Sequence, residues 1–376
     1  MNNIGKLDIS GIAKVVDKAS KINGVIHLET GDVDFDPPKE ILKHFKEGFE
    51  KHQCHYPPLM GNDDLLEKIN EIEHINNDKE KAIVTAGGSI GIFLTLFSIL
   101  NPGDNIVIFE PCWPHFKEMI KICRANAIII NLSSDNFHLK QQSLNNLSNI
   151  RAILLCSPNN PTGTIFTNVE LEIICKFASK NDSWIIFDAE YDLFCYNGIV
   201  NNYPRRIYDK VIISKSISKT YASAGLRLGY LFGNKKLIDR IKNLSLYTTM
   251  YPNSLVQYSL YNLLQENSAF SCNLKAIMEN RVERCVKILN ELDNVRVKKP
   301  DGGLYLWLDC TNITKKDTEI ADEILYNYKV AVVPGSCFGE NANGFLRISL
   351  GCNDDLLFEA IKKIKFSLKL YFKEKC

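Results

Sequence analysis

The sequence predicts an α/β fold with a mostly parallel central sheet, helices on both faces of that sheet, and a smaller α+β domain. Strand-length and helix-length segments alternate from about residue 80 to about residue 233, as they do where crossover helices join parallel strands. The strand-length runs are almost continuously apolar, which is typical of strands buried on both faces. After residue 270 the alternation gives way to a long helical run followed by short strands and helices.

The large domain is assigned to residues 45–270, which contain the alternating segments. Its predicted strands are 82–85, 105–109, 127–130, 152–155, 184–187, 211–213 and 229–232. Its predicted helices are 88–100, about 114–123, and one that ends near residue 180. Thr167 is expected to cap this last helix, and Glu170, three positions on, completes a capping box.

The small domain is assigned to residues 1–44 together with 271–376. Its predicted elements are a helix over 274–292, strands at 304–308, 330–333 and 345–350, and a terminal helix. Asp36-Pro-Pro38 interrupts the N-terminal region, so the first residues are expected to pack with the C-terminal part. A chain of 376 residues is long enough for two such units.

Composition narrows the functional classes. A net charge of +1 creates no field that would attract nucleic acid or a membrane. The N-terminus lacks the apolar core of a signal peptide, and no apolar run reaches membrane-spanning length. The 12 cysteines include no Cys-x-x-Cys pair, which favours buried thiols in a reducing compartment over a metal site. We therefore expect a cytoplasmic protein without a metal.

Polar and glycine-rich loops follow five of the predicted strands. These loops are residues 85–89, 110–114, 157–163, 188–191 and 214–219. Ligands of parallel α/β sheets bind beyond the carboxyl ends of the strands. One site built from all five loops is therefore expected.

One interpretation of this site is a dinucleotide-binding loop. Ala86-x-Gly88-x-x-Gly91 nearly matches the Gly-x-Gly-x-x-Gly pattern between a strand and a helix, and Glu110 is placed to take a ribose hydroxyl. However, alanine replaces the first glycine and the pattern does not stand at the start of the fold. A nicotinamide-dependent dehydrogenase is therefore the weaker interpretation.

The other interpretation centres on Lys219, which follows an apolar strand, stands among hydroxyl residues and precedes Arg227 by eight positions. On its own, a lysine in a serine-rich turn is ordinarily solvated. Together with Ser157-Pro-Asn-Asn-Pro-Thr-Gly163, however, this spacing resembles the fold-type-I pyridoxal-phosphate-dependent aminotransferases of class I/II, and most closely the bacterial and archaeal branch of the aspartate aminotransferase superfamily. The resemblance spans nearly the whole chain, as far as Phe345-Leu-Arg-Ile-Ser349.

The resemblance implies a pyridoxal 5′-phosphate cofactor and a ping-pong transfer of an amino group between an L-amino acid and a 2-oxo acid. It assigns Lys219 to the Schiff base and to proton transfer, for which the amine must be unprotonated in a buried, cation-rich pocket. It assigns Asp188 to the pyridinium nitrogen, and Tyr191 and Asn160 to the 3′-oxygen. Lys215 is rejected as the competing lysine because it lies within the strand end and lacks this context.

The remaining cofactor contacts are implied in the same way. Trp113 is to stack on the cofactor ring, whereas His115 nearby is interpreted as a structural or surface residue. The phosphate is to be held by backbone N–H groups at a helix start, by hydroxyls, by a guanidinium and by a tyrosine of the neighbouring subunit in a homodimer. The residues concerned are Gly88, Ser89 and Ile90, then Ser216 and Ser218, then Arg227, and finally Tyr56.

The substrate contacts are implied for Arg347, which is to grip the α-carboxylate in a bidentate pair, and for Asn160 and the backbone of Gly31. Related aspartate-specific enzymes carry a lysine where this chain has Ser89, and residues 244–257 contain no basic side chain. The amino donor is therefore expected to have an apolar or aromatic side chain. Two alternatives stay open: a lyase, cyclase or oxidase reaction on the same fold, and a non-catalytic cofactor-binding protein.

Overall fold

The computed structural model describes residues 7–266, 268–293 and 295–371. Its helices, α1 to α12 in chain order, are Gly11–Ser20, Lys39–Glu50, Asp63–Ile72, Gly88–Ile99, His115–Ile122, Asn168–Asn181, Ile217–Thr220, Lys235–Ser245, Ser254–Gln265, Phe270–Leu289, Asp317–Tyr328 and Asp354–Leu370. Its strands, β1 to β13, are Ile26–His27, Glu80–Thr85, Asn105–Glu110, Asn126–Asn131, Ile150–Cys156, Trp184–Asp188, Val211–Ser216, Gly229–Asn234, Arg296–Val297, Tyr305–Asp309, Val330–Ala331, Val333–Pro334 and Phe345–Ser349.

The central sheet has seven strands in the order β2-β8-β7-β6-β5-β3-β4. The strands β3 to β7 run parallel, and β8 runs antiparallel to both of its neighbours. Successive residues of a strand point to opposite faces, and Ile153 and Leu154 of β5 accordingly belong to two different apolar clusters. Helices α4 and α8 contribute to one cluster, and α6 and α9 to the other. The predicted α/β architecture is therefore confirmed.

The parallel register brings the carboxyl ends of the strands together. Cys156 at the end of β5 lies opposite Asp188 at the end of β6, and Asp188 lies opposite Ser214 of β7. At this same edge, α4 begins shortly after β2 and α7 begins directly after β7. Four loops, those after β2, β5, β6 and β7, thereby share one edge of the sheet.

A second sheet is antiparallel, with the strand order β12-β13-β10-β9. The predicted single strand at 330–333 is wrong. Val330–Ala331 pairs with β1, whereas Val333–Pro334 pairs with β13, so the chain changes sheets at Val332. The N-terminal segment meets the C-terminal part through the β1–β11 pair, as expected. The domain boundaries themselves stay a prediction.

Local signals in the sequence are also realised. Thr167 caps α6, and the reciprocal capping box with Glu170 is present. Among the described residues, no helix is both long and apolar enough to span a membrane. Within those same ranges, no group of three or more His, Cys, Asp or Glu side chains is arranged so that it could hold a metal ion.

Candidate active site

A cavity of about 330 Å³ lies beyond the carboxyl ends of the central strands. Side chains of the N-terminal segment and of the second sheet line it together with the strand-end loops. The sequence-predicted residues on its wall are Gly31, Gly88, Ser89, Trp113, Asn160, Asp188, Tyr191, Ser218, Lys219, Arg227 and Arg347. Most of the predicted site residues therefore meet around one cavity.

Lys219 reaches this cavity because the chain turns sharply after β7. The Ser216 hydroxyl accepts a hydrogen bond from the backbone N–H of Ser218 (3.0 Å) and so caps the short helix α7. The Lys219 side chain is 13% exposed, and its Nζ lies 3.7 Å from Oδ1 of Asp32. Glu190 also faces it. The surroundings of Lys219 are therefore of mixed charge, because three carboxylates share the cavity wall with two arginines.

Lys215 points away from the cavity. Its ammonium lies 2.9 Å from a carboxylate oxygen of Glu73 and 2.9 Å from one of Asp192. Tyr230 donates a hydrogen bond to the same Glu73 carboxylate (2.7 Å). A lysine held between two carboxylates keeps its proton and is a poor nucleophile. The geometry therefore agrees with the rejection of Lys215 as the reactive lysine.

Asp188 is a buried carboxylate on the cavity wall, 7% exposed. It accepts a hydrogen bond from the backbone N–H of Glu190 (3.1 Å). Burial, and next the neighbouring Glu190, raise the pKa of Asp188 from 3.8 to about 7. Within the described ranges no basic side chain forms an ion pair with it. A buried carboxylate of this kind fits a cationic ligand group such as a protonated ring nitrogen.

A chain of hydrogen bonds joins the two sheets across the cavity. The Asn160 amide donates to the Tyr191 hydroxyl (3.2 Å) and accepts from Nη1 of Arg347 (3.0 Å). The hydroxyls of Tyr191 and Tyr305 share a hydrogen bond of 2.9 Å. Arg347 is 1% exposed, donates to the backbone carbonyl of Glu29 (2.5 Å) and has its guanidinium carbon 4.2 Å from the Tyr305 ring centre. Arg347 is therefore fixed with its guanidinium on the cavity wall.

The start of α4 forms another end of the cavity. Its cap, Gly87, has a φ of +95°, and a Cβ there would lie 2.5 Å from Nη2 of Arg227. Only glycine therefore allows the guanidinium so close to the helix N-terminus, where backbone N–H groups attract anions. Ser89 lines the cavity, whereas the side chain of Ile90 packs against the core.

The aromatic residues give mixed outcomes. Trp113 lines the cavity and stacks on His115 with 4.3 Å between ring centres. His115 also lines the cavity, a position that the sequence did not predict for it, and burial lowers its pKa. Tyr56 lies outside the cavity with 80% of its surface exposed. Glu110, the residue proposed for a ribose hydroxyl, pairs with Lys117 and packs near Gly339, so its carboxylate is already engaged within the protein.

Sequence reasoning missed several polar residues of the cavity wall, among them Asp32, Glu190 and Tyr305. Asp32 and Tyr305 come from distant segments, and no strand-end signal marks them. Glu190 belongs to the loop Asp188-Ala-Glu-Tyr191, which was assigned to the site, so an acidic side chain at the site could have been predicted from the sequence. The hydroxyl of Ser216, which was predicted to hold an anion, donates a hydrogen bond to the Glu190 carboxylate (2.7 Å).

A mixed sheet flanked by helices, a lysine at a strand end and a buried aspartate without a basic partner in the described ranges are features of the α/β class of pyridoxal phosphate enzymes, fold type I. The family model for class I and II aminotransferases matches residues 23–364, and the chain belongs to this family. It is thus a transferase that uses pyridoxal phosphate and acts on amino acids and 2-oxo acids.

Relatives with different named substrates resemble the chain to similar degrees. An aspartate aminotransferase from Pyrococcus horikoshii is 29% identical over 96% of this chain and 95% of its own length. An aromatic-amino-acid aminotransferase from Thermococcus litoralis is 28% identical over 96% of each chain. The solved structure of a Pyrococcus protein named protein-A1 superimposes with a TM-score of 0.93 at 26% identity, over 98% of both chains. The choice of substrate therefore has to be argued from this chain's own residues.

Proposed function

We propose that this cavity binds pyridoxal phosphate and exchanges an amino group between an L-amino acid and a 2-oxo acid by a ping-pong mechanism. Lys219, Asp188 and Tyr191 are the proposed catalytic residues. The observation that carries the proposal is Asp188, a buried carboxylate without a basic partner among the described residues, on the same cavity wall as Lys219. The buried Asp188 carboxylate is better compensated by a protonated ring nitrogen than by any neutral ligand group.

When bound, the cofactor withdraws electrons from the substrate α-carbon through its ring. Lys219 would hold the cofactor through its aldehyde, and the Lys219 amine is placed to move a proton at the substrate α-carbon. Asp188 would keep the ring nitrogen protonated. Tyr191 and Asn160 would donate hydrogen bonds to the ring oxygen, and Trp113 would stack on the ring. These roles are supported by the positions of all five side chains on one cavity.

Arg347 is proposed to bind the substrate α-carboxylate through its planar fork. Asn160 already contacts this guanidinium and so orients it. Gly31 lies close by, and a Cβ there would overlap the hydroxyl of Tyr305. A glycine at this position keeps the backbone near the carboxylate accessible to substrate.

The cofactor phosphate is proposed to lie at the start of α4. Its donors are the backbone of Gly88, Ser89 and Ile90, the hydroxyls of Ser216 and Ser218, and the guanidinium of Arg227. Tyr56 is proposed to reach the phosphate of a partner subunit in a homodimer. Support comes from its 80% exposure and from the 84% exposure of Tyr247, which leave aromatic surface uncovered in a single chain. Sedimentation of the purified protein as a monomer would contradict the dimer.

An amino donor with an apolar or aromatic side chain is proposed. The basic side chains on the cavity wall are Lys219, Arg227 and Arg347, with His115 in addition. The first three have roles toward the cofactor or the α-carboxylate, which leaves no arginine or lysine on this wall for a second carboxylate. Steady-state kinetics with aspartate, phenylalanine, tyrosine, leucine and methionine will test this, and a preference for aspartate would contradict it.

The reaction type is tested by absorbance of the cofactor-loaded protein mixed with single amino acids. A spectral change that 2-oxo acids reverse supports transamination. Pyruvate and ammonia formed without a 2-oxo acid would indicate a lyase, and no spectral response to any amino acid would indicate a non-catalytic binder. Neither alternative is favoured by any feature of the cavity.

The reactive lysine can be identified without a substitution. Borohydride reduces the bond between the cofactor and its lysine, and mass mapping of peptides then locates the label. We expect the label on Lys219. Label on Lys215 would overturn the site assignment. The cytoplasmic location is also kept as a proposal, supported by the free thiols of the described cysteines.

A further inference from the structure

Glu190 is an acidic side chain at the end of the cavity where an anion is expected. It follows β6 between Asp188 and Tyr191. One carboxylate oxygen accepts a hydrogen bond from the Ser216 hydroxyl (2.7 Å). The other oxygen, Oε2, lies beside the N-terminus of α4, 3.0 Å from the position that a Cβ on Gly88 would occupy. The Glu190 carboxylate thus lies among the groups proposed to hold the cofactor phosphate.

Charged and titratable groups on several neighbouring elements face the Glu190 carboxylate. Lys219 on α7 and Arg227 after it are the cationic groups that face its carboxylate. Asp188 on its own loop is a second buried acid, and the Cys156 thiol at the end of β5 and the Tyr191 hydroxyl lie within its electrostatic reach. Burial raises the pKa of Glu190, whereas Lys219, the Ser216 hydroxyl and Arg227 act in the opposite direction.

A carboxylate and a phosphate dianion cannot share these donors without strong repulsion. A protonated carboxyl group can, because it donates a hydrogen bond to a phosphate oxygen instead of repelling it. We propose that Glu190 is a positioning residue that takes the place of the cofactor phosphate in the cofactor-free protein and gains a proton when that phosphate binds. This inference rests on the proposed location of the phosphate at the start of α4.

The proposal predicts that cofactor binding is linked to proton uptake. The probe is pyridoxamine 5′-phosphate, which has no aldehyde and so forms no bond to Lys219. Above the pH at which Glu190 ionises in the free protein, linkage requires about one proton per bound ligand and up to about tenfold weaker binding per pH unit. The glutamine of Glu190→Gln is neutral and takes up no proton. This variant should therefore bind the probe at least about tenfold more tightly than the wild type in mildly alkaline solution.

Titration calorimetry in buffers with different ionisation heats measures the proton count directly. We expect the wild type to take up about one more proton per bound probe than Glu190→Gln. The control is Glu71→Gln, which changes an exposed carboxylate on α3 and should match the wild type. Equal proton counts and parallel pH profiles for wild type and Glu190→Gln would overturn the proposal. Failure of both to bind the probe would instead overturn the proposed function.

A second measurement needs no variant. Pyridoxamine, which lacks the phosphate, occupies the ring end without approaching Glu190. The wild type is expected to take up about one proton more with pyridoxamine 5′-phosphate than with pyridoxamine. The same proton count for both ligands would show that Glu190 does not respond to the phosphate. At a pH well above about 6, where the phosphate of the free probe is already a dianion, a purely structural Glu190 would leave this difference near zero.

Discussion

Replacing Asp188 by asparagine is expected to stabilise the cofactor-free protein. The carboxylate is buried without a basic partner in the described ranges, and its pKa rises from 3.8 to about 7, mainly through burial. One pKa unit corresponds to about 1.4 kcal/mol. The ionised form of Asp188 thus costs the native state about 4 kcal/mol, a cost that asparagine, of nearly the same shape, avoids.

The pH dependence has a definite sign. Between about pH 4 and about pH 7 the native protein holds a proton on Asp188 that the unfolded chain has released, so the free energy of unfolding falls as the pH rises. Above about pH 7 both states are ionised and the full cost remains. The difference in free energy of unfolding between Asp188→Asn and the wild type should therefore grow from near zero at about pH 4 to about 4 kcal/mol at about pH 7, and then stay constant.

Urea unfolding of the cofactor-free proteins at one fixed protein concentration measures this difference. Asp135→Asn, at an exposed loop aspartate, is the control and should follow the wild type. Added cofactor should reverse the order, because asparagine cannot hold the proton of the ring nitrogen. Parallel pH profiles for wild type and Asp188→Asn would refute the argument that burial of this carboxylate strains the empty site.

Three further changes give predictions for steady-state kinetics. Arg347→Lys should lower kcat/KM by about tenfold to a hundredfold, because a point charge replaces a bidentate fork; an unchanged value would contradict the carboxylate role. Gly31→Ala should lower activity, and adding Tyr305→Phe should restore part of it by removing the hydroxyl that the new Cβ overlaps. Ser89→Lys should raise kcat/KM for aspartate relative to phenylalanine, because it adds a cation to the cavity wall; no change in that ratio would count against the proposed donor.

The fold was largely predictable because each central strand is a short apolar run bounded by turn residues. The run at 330–333 misled because it is uniformly apolar. Its division depends on partners: Val330–Ala331 pairs with β1, and Val333–Pro334 pairs with β13. Apolar periodicity reports that a segment is buried, but the strand with which it pairs is a tertiary property.

The site was predictable where its residues follow strands and not where they arrive from other elements. Asp188 and Lys219 stand at the ends of neighbouring strands, so their meeting follows from the parallel sheet. Tyr305 belongs to the second sheet, and its contact with Tyr191 depends on how the two sheets pack. The role of Glu190 depends on which side chain reaches Ser216, and no local pattern encodes that choice.

The contrast between Lys215 and Lys219 follows from the point at which β7 ends. Side chains alternate along a strand, so Ser214 contacts the carbonyl of Gly88 at the cavity side while Lys215 points to Glu73 and Asp192 on the other side. Had the strand continued, Lys219 would have shared the face of Lys215. The Ser216 cap starts a helix instead, which turns Lys219 toward the cavity. The Ser216 cap at the end of β7 therefore explains why Lys215 is held in ion pairs while Lys219, the lysine proposed to be reactive, faces the cavity.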